Sequence, residues 1–176
     1  LAIGFFFLLP AGVAALIQNF SGISPFLTNL FEGLIRLILI ILYIWLVGKN
    51  KDIHRVFSYH GAEHKTINAF EDNAVLDVET VMKYPLEHPR CGTAFLLTLV
   101  VLSILVFSLL GPMALWLKII SRVALVPLLA MLSYEVIRWM GDHLENPLVR
   151  LMVAPNLSLQ KLTTRQPDPK MVEVAL

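Results

Sequence analysis

Residues Ala94 to Leu110 read AFLLTLVVLSILVFSLL, seventeen positions without a charge, closed by Gly111-Pro112. A helix over this run is apolar on every side, so it needs an apolar medium all around it, and its length suits a bilayer core. Outward from it lie three further runs of the same kind. Residues 113–118 turn, with Trp116 as an interface anchor, and Ile119 to Met140 form the next span, with Arg122 near one end and Glu135 and Arg138 near the other. On the other side, Gly33 to Val47 is a span that ends at Gly48-Lys49. Residues 1–17, LAIGFFFLLPAGVAALI, carry no charge, and Pro10 with Gly12 predicts a kink. A turn-rich link from Asn19 to Asn29, containing Ser21-Gly22 and Ser24-Pro25, joins the first two spans. Glu32 and Arg36 stand four apart, which pairs them on one helical face, with Arg36 reaching back toward the interface. The fold class expected is therefore an all-α membrane protein: about four transmembrane helices, with a small helical cytoplasmic insertion between the second and third.

Composition agrees. The chain of 176 residues is 57% hydrophobic and only 15% charged, with a mean hydropathy of +0.72. A soluble domain of that length has too little interior for so much apolar surface, so the lipid bilayer is the partner this composition requires. A net charge of +1 with no basic stripe argues against a nucleic-acid partner. The single cysteine, Cys91, excludes an internal disulfide and leaves structural, reactive or metal-ligating roles. The sequence opens inside an apolar run at Leu1, which reads as the middle of a larger protein.

Four segments follow from this reading: 1–48, the first two spans with a short external loop; 49–93, polar; 94–140, a transmembrane hairpin; and 141–176, a mostly polar tail ending in MVEVAL, a short strand or docked end. Lys49, Lys51, Arg55 and Lys65 flank the second span, and Arg138, Arg150, Lys161, Arg165 and Lys170 follow the fourth. The opposite side offers only Lys118 and Arg122, so the positive-inside rule puts 49–93 and the tail in the cytoplasm, where the two can meet on one face.

The chemistry concentrates in 49–93, which holds six Lys or Arg, seven Asp or Glu and most of the histidines. Its centre is Tyr59-His60-Gly61-Ala62-Glu63-His64-Lys65. In a helix, His60 and His64 stack one turn apart and both imidazoles can reach one divalent metal ion, most naturally zinc. Glu63, one position off the pair, is placed as general base toward the water such a site activates. This is the H-x-x-E-H arrangement, the reverse of the zinc-protease H-E-x-x-H. Gly61 costs about 1 kcal/mol inside a helix. Two histidines do not complete a zinc site. Glu71, seven residues beyond His64, and the run His88-Pro89-Arg90-Cys91 supply candidates for further ligands. A set of His60, His64, His88 and Cys91 would be closed and structural, whereas three ligands leave a position open for catalysis. Glu135 is a further candidate, since an acid near a membrane helix end marks a functional site, although with Arg138 it also forms a simple i,i+3 pair. Arg90, with the free N–H groups at Gly92-Thr93, could orient an anionic or carbonyl group, or merely anchor the third span. For each of these the plain alternative is a solvated helix face, a surface carboxylate, or a small buried thiol.

Four runs in order carry a resemblance: Arg55-Val56-Phe57-Ser58-Tyr59-His60-Gly61-Ala62-Glu63-His64-Lys65-Thr66-Ile67, His88-Pro89-Arg90-Cys91-Gly92-Thr93, Ser133-Tyr134-Glu135, and Leu159-Gln160-Lys161-Leu162-Thr163-Thr164-Arg165-Gln166-Pro167. Over essentially its whole length the chain resembles the YqhQ-like bacterial membrane proteins, domain-of-unknown-function family 1385, usually described as metal-dependent enzymes. The resemblance implies a multi-pass protein of the bacterial inner membrane and makes a His-Glu-His metal site a natural suggestion. Family members share a glycine-rich stretch ahead of the first span, similar to GGQAVMEGVMMR, that residues 1–176 do not contain.

Two functions are expected from this pattern. One is a metal-dependent membrane hydrolase at the cytoplasmic interface, with His60 and His64 as ligands, His88, Cys91 or Glu71 completing the set, Glu63 as base, Arg90 orienting the substrate, and a peptide bond or lipid ester as target. The other is a non-catalytic scaffold or accessory subunit of a translocation or envelope-biogenesis complex, contacting a membrane-protein partner or a second copy. Its tail residues Leu157, Leu159, Leu162, Met171, Val172 and Val174 look fit for packing. A transporter is disfavoured by the few charges within the spans and by the lack of an inverted repeat.

Overall fold

A computed structural model of the chain describes residues 5, 9–110 and 115–176, and among them there is helix but no strand. The elements are α1 (Leu9–Ser21), α2 (Pro25–Val47), α3 (Lys51–Glu71), α4 (Val78–Val81), α5 (Gly92–Leu109), α6 (Leu115–Asp142), α7 (Pro147–Thr163) and α8 (Pro169–Ala175). Among the described residues, three helices are long and apolar enough to cross a membrane: Pro25–Val47, Gly92–Leu109 and Val123–Asp142 within α6, with mean hydropathies of 2.3, 2.4 and 1.5. Of the further span expected over 1–17, residues 1–4 and 6–8 lie outside those described, and α1 covers 9–17.

The chain divides into two compact units, 1–42 with 95–138, and 43–94 with 139–176. In the first, the link expected over 19–29 is shorter than the turn residues suggest. Gly22, at φ +59°, ends α1 in the left-handed region and donates its N–H to the Gln18 carbonyl. Three residues later Pro25 opens α2 at the position where a missing N–H costs nothing, so this helix starts well before Gly33. Asn29 donates from Nδ2 to the Phe107 and Leu110 carbonyls, at 3.1 and 3.4 Å, supplying partners at the end of α5. Glu32 and Arg36 form the i,i+4 pair at 2.9 Å with both side chains buried, so Arg36 is neutralised within the helix bundle rather than at its edge. The i,i+3 partnership of Glu135 and Arg138 does not form; both side chains are exposed.

The second unit gathers the polar segment and the tail. Asn50 caps α3 by accepting from the Asp52 N–H, and Asp77 caps α4 by accepting from Thr80. The tail is helical, and its MVEVAL end, expected as a short strand or a docked end, is docked as helix. Asn146-Pro147 and Asp168-Pro169 are each a capping residue followed by a proline in the first turn, and they start α7 and α8. The MVEVAL end is thus most of α8. Its Val172 is fully buried with Ala62 and Ala69 of α3 and Val81 of α4, and Met171, Ala175, Val78 and Met82 pack around them. Small residues on α3 let the short helices approach closely enough to share this core.

Candidate metal centre

Helix α3 holds the loop that follows α4 through side chains grasping backbone carbonyls. The buried Lys65 donates from Nζ to the carbonyls of Met82, at 2.9 Å, and Tyr84. Asn68 donates to those of Pro85 and Glu87, both at 3.1 Å. Burial holds the Lys65 ammonium below its ordinary pKa, a shift that nearby Glu87 partly offsets. The loop therefore runs pinned along α3 and delivers Cys91 to the foot of α5.

The two histidines of the motif face each other with ring centroids 4.3 Å apart and planes inclined at 67°. Each has one nitrogen committed. His60 Nδ1 lies 2.9 Å from the Thr163 carbonyl and His64 Nδ1 lies 2.6 Å from the Leu86 carbonyl. A carbonyl only accepts, so each Nδ1 carries the proton, and each Nε2 is left to bind. His60 Nε2 is 3.4 Å from Cys91 Sγ. One donor atom from each of His60, His64 and Cys91 lies within 4.8 Å of the others. Zinc at about 2.0–2.3 Å from nitrogen and sulfur needs tetrahedral donors about 3.3–3.7 Å apart. The His60–Cys91 spacing already meets that.

Electrostatics suits a cation. Burial by itself pushes the Cys91 thiol up. The interactions with His60 and His64, and the hydrogen bond from the Thr93 N–H at 3.3 Å, outweigh it and bring the pKa to about 5. His60 is pushed the other way, raised chiefly by its bond to Cys91, against burial and with help from the Thr163 carbonyl. At neutral pH the thiol is ionised, which is the form a metal takes. The donor chemistry therefore fits a divalent ion with borderline-soft preference: two imidazoles with oriented tautomers and one thiolate.

Of the remaining expected ligands, His88 has its ring centroid 5.9 Å from that of His64, and none belongs to the three-residue group. His88 is buried, but its Nε2 is 3.3 Å from Glu71 Oε2 and its Nδ1 accepts from the Arg90 N–H. Glu71 also lies 3.7 Å from the Arg90 guanidinium, which reaches Asp142 at 3.1 Å. His88, Glu71, Arg90 and Asp142 thus form a chain of polar contacts of their own, outside the His60–His64–Cys91 group. Glu63 is exposed and acts on His60 through space by its charge. Glu135 is not in the group either.

Gln160 of α7 was not singled out by its sequence. It is fully buried and grips His88 twice, accepting from its N–H at 2.9 Å and donating to its carbonyl at 2.8 Å. Nothing local marks it, because its partners are 72 residues away in the chain. Gln160→Leu is expected to leave both His88 backbone groups unpaired and to destabilise the protein by about 2 kcal/mol. Thermal unfolding in detergent measures this; an unchanged Tm would mean the clamp contributes nothing.

A family model described as "Protein of unknown function (DUF1385)" matches residues 1–176. Over 145 residues the chain is 41% identical to a protein of Bacillus subtilis (strain 168) described as "Uncharacterized protein YqhQ". That alignment covers 82% of this chain and 46% of the relative, so the chain spans about half the length of the curated protein it matches. No solved structure matches it.

Proposed function

The chain belongs to the YqhQ-like DUF1385 family, and on that footing we propose that it is a metal-dependent membrane enzyme, a hydrolase working at the cytoplasmic face of the bacterial inner membrane. One observation carries the reading: His60 and His64 each tie Nδ1 to a backbone carbonyl and turn Nε2 toward a Cys91 thiolate. Such carbonyl anchors are what orient metal-binding imidazoles and fix their tautomers. His60, His64 and Cys91 would hold the ion, zinc by preference, and the bound ion would supply Lewis-acid activation of water or of a substrate carbonyl. A three-residue set favours catalysis over a closed structural site.

Glu63 takes the role of general base. It sits on the same helix beside both imidazoles, remains exposed to solvent, and needs no partner exchange to hold a proton. Arg90 is already flanked by Asp142 and Glu71, so its part is to position the His88–Cys91 loop rather than to bind substrate. The substrate class proposed is a peptide or lipid ester presented at the membrane surface.

The scaffold alternative drew on apolar tail residues available to a partner. Leu159, Met171 and Val172 are spent within the unit itself, which weakens that alternative. The discriminating experiment combines metal analysis with Glu63→Gln. The purified protein is expected to carry near-stoichiometric zinc or manganese, and Glu63→Gln to keep the metal while failing to complement a deletion strain. A metal-free protein whose His60→Ala and His64→Ala variants still complement would end the enzyme reading, and full complementation by Glu63→Gln would favour the scaffold.

A further inference from the structure

Helix α7 has a buried face of mixed polarity and, beside it, an exposed apolar one. Val149, Val153, Asn156, Gln160 and Thr163 form the stripe that packs into the second unit. A second stripe at i, i+3, i+4 and i+7 consists of Leu148, Leu151, Met152 and Pro155, all exposed; the first three are 70%, 71% and 57% accessible. About a third of a turn or more away lie Arg150 and Lys161, also exposed. A helix packed on one side only has no use for a second apolar stripe in water.

Chain continuity says what covers it. The span Val123–Asp142 ends six residues before Leu148, which is at most about 20 Å of extended chain. The membrane level is marked there by aromatic side chains. Trp139 stacks on His143 with centroids 5.0 Å apart, and at the end of Pro25–Val47 the Lys49 ammonium lies 3.5 Å over the Trp45 ring. Half-exposed tryptophans paired with polar groups at span ends are the chemistry of the bilayer interface. Helix α7 starts within a few residues of that level in the chain.

We infer that α7 is an interfacial helix. Its Leu148–Leu151–Met152–Pro155 stripe enters the headgroup–acyl boundary of the bilayer that α6 spans, to a depth of about 5–10 Å, while Arg150 and Lys161 face water. The occupant is lipid, not a protein partner. The consequence reaches the metal centre: the same helix carries Gln160, which clamps His88, and Thr163, whose carbonyl holds His60. The inference itself depends only on the membrane and stands whether or not a metal binds.

The test uses the full chain in lipid nanodiscs with an environment-sensitive fluorophore on Leu151→Cys or Arg150→Cys, neighbours on different faces of the helix at the same height. The parent protein, whose one cysteine is the buried Cys91, is the background control. Doxyl-labelled phosphatidylcholine is expected to cut emission at position 151 about twofold or more and to leave position 150 little changed, with iodide quenching the reverse. Overturning results are definite. Iodide quenching at 151 equal to that at 150 would put the stripe in water. Protection at 151 from both quenchers would mean that protein covers it.

Discussion

Cys91→Ser is expected to lower zinc affinity by more than about a hundredfold, because the serine hydroxyl stays protonated at neutral pH and offers no anionic donor. The thiol it replaces is held at about pKa 5 and sits 3.4 Å from His60 Nε2. His64→Ala is expected to do the same, since its Nε2 belongs to the same group. His88→Ala, by contrast, removes a ring bonded to Glu71 and should lower affinity by no more than about ten- to a hundredfold, the scale of an outer contact. Chelator competition on purified protein reads all three. Equal losses in His88→Ala and Cys91→Ser would restore the closed four-ligand site; retention of full affinity in Cys91→Ser would remove the cysteine from the centre.

The pH dependence has a definite sign. Cys91 is ionised above about pH 5, so affinity declines as pH falls through that value and the thiolate is protonated. His60 has a raised pKa and must give up its proton to bind through Nε2. Binding through a protonated His60 therefore releases a proton, and affinity climbs with pH until that imidazole is neutral. Calorimetry in buffers of different ionisation enthalpy measures the release.

Gly61→Ala is the second large effect. In an isolated helix alanine is better than glycine by about 1 kcal/mol. Here the added methyl would lie 2.1 Å from the Arg165 carbonyl oxygen and 2.9 Å from a Leu86 methyl. The backbone cannot drift away freely, because the Arg165 N–H is bonded to the Phe57 carbonyl at 2.9 Å on the same helix. The segment after α7 must lift, which loosens Val172 from its core and the Thr163 carbonyl from His60. A net loss of about 3 kcal/mol is expected, at the upper end of overpacking costs. Thermal unfolding, together with faster proteolysis after α7, reports it. A variant as stable as the parent would show that no close approach exists at Gly61.

That glycine shows where reading residues in order stops. Its mid-helix position has a local cost that a sequence makes visible, and a benefit that requires knowing which distant backbone crosses there. The tail is similar. Asn146-Pro147 and Asp168-Pro169 are legible helix starts, but prolines scattered among polar residues pull the reading toward loops. Only docking against α3 gives so short a helix as α8 enough buried surface to persist. Likewise, His88 and Cys91 are equivalent candidates by spacing, and the paired grip of Gln160 with the bond from Glu71 holds one ring in a separate network.

The amino-acid order alone determined the membrane-crossing helices and the facing of His60 with His64. An uncharged apolar run is satisfied by lipid wherever it sits, and an i,i+4 pair is set by the pitch of one helix. The tertiary structure alone decided that Cys91 joins that pair, that the tail folds back over Gly61, and that α7 leaves an apolar stripe exposed. Each of these depends on segments tens of residues apart arriving at one place, and loop closure leaves no periodic trace in a sequence.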